Sequence, residues 1–154
     1  DRVRFLMSAN VGEALKPLSK VASGGELARI MLAMKQVLAQ QDGVPTLIFD
    51  EVDAGVSGRA AQKVALKLWA VSKGRQVLCV THLPQIAAMA DAEFTVEKRV
   101  EHERTYTSVL HLDDAGRRQE LARLIGGSMI TETTLAGAAE LLRLADEAKK
   151  GDIT

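Results

Sequence analysis

Hydrophobic residues follow two rhythms along this chain. Thr46-Leu47-Ile48-Phe49 and Gln76-Val77-Leu78-Cys79-Val80 are short apolar runs with no polar face to turn to water. Such runs predict strands buried on both sides of a mostly parallel sheet. Between them Ala61, Val64, Ala65, Leu68 and Trp69 recur at helical spacing from about Arg59 to Ser72, with Gln62, Lys63 and Lys67 facing away and Gly74 ending the run. Ser57 stands where it could cap that helix. A crossover of this length predicts that the two strands run parallel, joined right-handedly. Upstream, Ala22 to Glu26 open a helix carrying Leu27, Ile30, Met31, Met34, Val37 and Leu38, which Asp42-Gly43 and Pro45 stop.

The flanks are less regular. Val3 to Met7 reads as a strand, Ser8 to Glu13 as a turn, and Pro17 argues for an irregular segment from Ala14 to Lys20. Pro84 starts a short helix, Gln85 to Ala90. Glu93 to Glu97 and Tyr106 to Leu112 alternate as a strand pair around a charged loop, Lys98 to Arg104. A helix from about Ala115 to Ile125 carries Leu121, Ala122, Leu124 and Ile125 and stops at Gly126-Gly127. A last helix, about Glu132 to Lys149, buries Leu135, Ala138, Ala139, Leu142 and Ala145. The fold class is α/β: a mostly parallel sheet flanked by helices, with a small antiparallel β pair.

Composition narrows this picture without redirecting it. At 154 residues and 47% hydrophobic, the chain can bury one core. Twenty basic and twenty acidic residues cancel, so bulk charge makes no case for nucleic-acid or membrane binding. The apolar runs are far short of a membrane span, there is no signal-peptide layout, and the lone Cys79 lies within an apolar run; together these suggest a cytoplasmic protein. A strand beginning almost at the first residue, without a start methionine, reads as a piece of something longer.

Three sites carry chemistry. Asp50 and Glu51 arrive together where the first apolar strand ends, and ligands of open α/β sheets sit beyond the carboxyl ends of strands. One carboxylate can hold magnesium through its water shell while its neighbour orients or deprotonates a nucleophilic water. Ser23 and Glu26 form a capping box, yet Gly24-Gly25 are poor residues for a first helical turn. Two glycines there suit close approach of a phosphate to bare amides at the positive end of the helix dipole. His82 follows the second strand, on the rim where Asp50 and Glu51 are expected. A metallohydrolase built from Asp50, Glu51, Asp53 and His82 fits less well, because no tight ligand spacing such as His-x-x-x-His occurs.

In order and interval, Ser23-Gly24-Gly25-Glu26, Leu47-Ile48-Phe49-Asp50-Glu51 and Val80-Thr81-His82 resemble the signature motif, Walker B strand and switch histidine of an ABC-type ATPase head. Val52-Asp53-Ala54, without the proline usual in transporters, is similar to the chromosome-maintenance and DNA-repair branch. The wider strings Val21 to Arg29, Phe49 to Gly58, Thr81 to Gln85 and Leu121 to Gly127 resemble the bacterial RecN family. That resemblance implies that residues 1–150 are the C-terminal half of an ABC/SMC-type head, with 151–154 a tail. It implies ATP and Mg²⁺ as cofactors, with Asp50 on the magnesium through water, Glu51 on the attacking water and His82 on the γ-phosphate. Ser23, Gly24, Gly25 and Glu26 would meet the nucleotide of a second head, and Ala54, Gly55, Val56 and Ser57 would touch the opposing subunit. Ser57 departs from the usual aspartate.

No Gly-x-x-x-x-Gly-Lys-Ser/Thr occurs. The resemblance therefore implies an N-terminal Walker A half as partner, a chain inactive alone, and DNA bound through the complete protein in double-strand break repair, cytoplasmic and nucleoid-associated. A transporter's nucleotide-binding subunit and a non-catalytic interaction module are the competing expectations.

Overall fold

The computed structural model describes residues 4–8, 11–38, 41 and 43–151. The expectations placed on Val3, Ala9, Asn10, Asp42 and the last three residues lie outside these. The chain forms two compact units, residues 1–81 and 82–154, where composition suggested one core.

The first unit opens with two short antiparallel strands, β1 (Leu6–Met7) and β2 (Lys16–Pro17), Leu6 lying opposite Pro17. The irregular segment expected around Pro17 thus contains a strand, followed by a single helical turn, α1 (Leu18–Val21). Helix α2 (Gly24–Val37), strand β3 (Thr46–Phe49), helix α3 (Gly58–Ser72) and strand β4 (Gln76–Cys79) follow. β3 and β4 pair in parallel, from Thr46 opposite Gln76 to Phe49 opposite Cys79, as the crossover predicts.

The stripe of α3 is buried at Ala61, Val64, Ala65, Leu68 and Val71; Trp69 is half-buried, with the Lys73 ammonium 4.0 Å from its ring centroid. Ser57 precedes the helix in extended backbone, but its side chain makes no capping hydrogen bond.

One expectation about burial changes. The β3–β4 pair is covered on one face only: Leu47 and Phe49 are buried, whereas Ile48 is 71% exposed, Val80 65% and Leu78 46%. Side chains alternate across a strand, and among the described residues helix α3 packs on β4 while nothing buries the other face. On α2 the buried positions are Gly25 and Leu32, while Met31, Val37 and Leu38 are exposed. The helix packs on α3, and of the apolar stripe read from its sequence Leu27, Ile30 and Met34 are half-buried.

The second unit contains α4 (Pro84–Ala87), a hairpin of β5 (Phe94–Glu101) and β6 (Arg104–His111), α5 (Asp114–Gly126) and α6 (Glu132–Gly151). Its core is Ala87, Ala88, Leu121, Ala122, Ala138 and Ala145, with Leu124, Leu135, Leu141 and Leu142 packed against it. The abundance of alanine lets α5 and α6 approach closely; Ala139 faces solvent instead of the core. Arg117 donates to the Ala90 carbonyl at 2.8 Å and pairs with Glu93 at 3.4 Å. Burial nevertheless outweighs that pairing and pushes the Glu93 carboxyl up. The charged loop expected from Lys98 to Arg104 is mostly strand, because His102 and Glu103, both at positive φ (49° and 61°), turn the chain in two residues.

Candidate active site

Asp50 and Glu51 stand exposed directly beyond β3, as the motif predicts. The Glu51 amide donates to Asp50 Oδ1 at 2.9 Å. Glu51 itself sits at φ +57°, a left-handed conformation that a glutamate adopts only when its surroundings hold it there. Those surroundings are specific. The chain turns at once, the Ala54 amide donating to the Glu51 carbonyl at 3.0 Å and the Val56 amide to the Asp53 carbonyl at 3.2 Å. Val52 is fully buried and Asp53 is 3% exposed, so both anchor the turn from beneath. Thr81, at the end of the neighbouring strand, donates its hydroxyl to Asp53 Oδ2 at 2.6 Å. Ala54, Gly55 and Ser57 lie exposed along the outer side of this loop, with Val56 half-buried.

The N-terminus of α2 packs against the same turn. Ser23 and Glu26 form the full capping box: Ser23 Oγ accepts from the Glu26 amide at 3.4 Å, and the Ser23 amide donates to Glu26 Oε2 at 2.8 Å. These Ser23 bonds, with the Arg29 charge behind them, hold the Glu26 carboxyl below its ordinary range. The glycines have a packing role that the sequence reading missed. A Cβ on Gly25 would come within 2.8 Å of Ala54 Cβ and 2.9 Å of the Glu51 and Ala54 carbonyl oxygens. One on Gly24 would run into the Glu51 carboxylate. Gly25 must therefore be bare for the Glu51 turn to lie on the helix end, whereas a side chain at Gly24 would displace only the Glu51 carboxylate.

Arg29 completes the arrangement. One turn beyond Gly25, its Nη1 donates to the Ala54 carbonyl at 2.7 Å and to the Val52 carbonyl at 3.3 Å. Arg29 and Thr81 were not singled out for the site, and Asp53 entered only as a candidate metal ligand. A signal existed for Arg29, which shares a helix face with Gly25 and Leu32 where an apolar residue would be ordinary.

The structure thus brings together Ser23, Gly24, Gly25, Glu26, Glu51 and Ala54. Asp50 adjoins them in sequence. His82 directly follows Thr81 and is exposed, opening the second unit. Among the described residues no three His, Cys, Asp or Glu side chains group closely enough to hold a metal ion. The Asp50 carboxylate is nonetheless an exposed, acceptor-only oxygen donor of the kind that suits a hydrated magnesium ion. Near the site, the Cys79 thiol is pushed up to about 12, first by burial and then by the charges of Asp53 and Asp50.

No family model matches the chain. It is similar to the DNA repair protein RecN of Bacillus subtilis, 52% identical over 149 residues, covering 97% of this chain and 26% of that protein. RecN of Treponema pallidum is 50% identical over 152 residues, and RecN of Streptomyces coelicolor 45% over 145. The chain spans about a quarter of the length of these relatives. A solved chain from the structural biochemistry of ATP-driven dimerization and DNA-stimulated activation of SMC ATPases matches with a TM-score of 0.53 and 24% identity, over 77% of this chain and 70% of that one. The α/β fold described above is therefore shared with that solved chain.

Proposed function

This chain is homologous to a segment of the RecN DNA repair proteins, and from that premise we propose that it is the C-terminal half of an ATPase head, residues 1–150 carrying the chemistry and 151–154 a tail. The complete protein hydrolyses ATP in the repair of DNA double-strand breaks, working in the cytoplasm at the nucleoid. The observation that carries this reading is the Glu51 turn, held at positive φ on a bare diglycine helix end beside the strand that presents Asp50.

In this reading Asp50 holds magnesium through its water shell. The ion supplies charge neutralisation at the phosphates. Glu51 is the general base or orienting group for the attacking water, and its rigid backbone keeps the carboxylate from wandering. His82 contacts the γ-phosphate. Ser23, Gly24, Gly25 and Glu26 form a cap that meets the nucleotide of a second head, with the amides of the two glycines and a helix dipole suited to an anion. Ala54 to Ser57 touch that second head. The partner within the same head is the Walker A half, which supplies the phosphate-cradling loop and lysine that this sequence lacks. DNA binds to the complete protein, and among the described residues no helix is long and apolar enough to cross a membrane.

Glu51→Gln keeps the size and hydrogen-bonding reach of the side chain but removes its basicity. In the complete protein, ATP turnover is expected to fall by about 100-fold or more while ATP binding persists. Turnover and nucleotide binding measured side by side test this, and unimpaired turnover would remove Glu51 from the mechanism.

A further inference from the structure

Helix α2 and the Glu51 turn are tied by contacts that a simple cap does not require. The Arg29 guanidinium reaches the main-chain carbonyls of Val52 and Ala54, one on each side of the buried Asp53. Four residues earlier on the same helix face, Gly25 leaves no room for even a methyl group against the Glu51 and Ala54 carbonyls. The Glu51 carboxylate lies over Gly24. A displacement of the helix end pulls on the turn, because a single guanidinium nitrogen, Nη1, donates to two carbonyls of that turn while Gly25 lies against two of its carbonyl oxygens.

We propose that Arg29 is a positioning residue that joins the N-terminus of α2 and the Glu51 turn into one rigid piece, so that occupation of the helix end fixes the Glu51 carboxylate. This rests on the ATPase reading above. In a two-head sandwich, the end of α2 meets the nucleotide of the second head, whereas Glu51 serves the nucleotide on its own. Arg29 then links two different nucleotide sites: filling one sets the base of the other. The link is made through main-chain atoms, so it acts on where Glu51 is held, not on its chemistry.

The test uses the complete protein with Arg29→Gln and Arg29→Lys, and Glu51→Gln as control. ATP is expected to slow amide hydrogen exchange over residues 23–26 and 50–56 of the unmodified protein. In Arg29→Gln the protection of 23–26 remains and that of 50–56 is lost, while kcat falls by about tenfold and KM stays within about twofold. Arg29→Lys, which retains a cation able to reach one carbonyl, lies between and provides the reading if the glutamine variant does not fold. An unchanged kcat, or persistent ATP-induced protection of 50–56 without Arg29, overturns the proposal; a loss of turnover in Glu51→Gln leaves the ATPase reading standing in that case. Surviving turnover in Glu51→Gln overturns the ATPase reading and this proposal together.

Discussion

The two adjacent glycines, alike in sequence, face different neighbours and predict opposite behaviour. Gly25→Ala would drive a methyl group into the backbone of the Glu51 turn, and backbone cannot rotate aside. A loss of about 1–3 kcal/mol is expected in a denaturant titration. Gly24→Ala meets only the end of the Glu51 side chain, which can turn aside. There the helix gains up to about 1 kcal/mol from the better helix former. ATP turnover in the complete protein falls nonetheless, because the carboxylate is pushed from its place. Stability and activity measured on both variants separate the two roles. At Cys79, the raised thiol pKa predicts silence towards iodoacetamide in the folded protein at mildly alkaline pH, with alkylation on unfolding. The sign for stability follows: the folded thiol holds its proton more tightly than the unfolded one, so its contribution is complete below pH 9.0 and is lost as pH rises towards about 12. Asp50, Glu51 and the capping box were legible in the sequence, because strand ends and helix starts are local signals. The clasp of Arg29 was not, since its acceptors lie 23 and 25 residues away and are main-chain atoms that side-chain patterns do not encode.

At the level of elements, periodicity identified α2, α3, α5, α6, both parallel strands and the hairpin. Boundaries failed where one local conformation overrode composition. The stretch Lys98 to Arg104 looked like a charged loop, but two consecutive residues at positive φ let both strands run to Glu101 and Arg104. Neither His102 nor Glu103 is well suited to that backbone, whereas asparagine and glycine are. Replacing the pair by Asn-Gly is expected to stabilise the second unit by about 0.5–1 kcal/mol, visible as a higher thermal midpoint. Apolar stripes were also legible, but not what would cover them. Pattern reading placed Met31, Val37 and Leu38 on the apolar stripe of α2, and they are exposed, because periodicity reports amphipathicity and not the presence of a neighbour.

For the molecule as a whole, the uncovered face of β3–β4 is the main departure from the sequence expectation of strands buried on both sides. Ile48, Leu78 and Val80 form an apolar strip on that face, beside the Thr46–Gln76 side-chain hydrogen bond of 3.2 Å. A parallel sheet with one bare face is rare, and a pair of strands is too few to be stable without further layers. This supports a head completed by its other half. Ile48→Lys is accordingly expected to change the stability of this chain by no more than about 0.5 kcal/mol, as for other exposed positions. In the complete protein the same change would bury an unpaired charge and cost several times as much. Thermal unfolding of both forms gives the comparison, and equal effects would mean that the face stays open. The open sheet also bears on how such a protein survives its own synthesis. Among the described residues, the outer edges of β3 and β4 are unpaired, and exposed strand edges accept any extended segment that drifts past. In the proposed head this segment is made after its Walker A half, so until it docks there correct completion competes with aggregation, and the yield of working protein depends on which is faster.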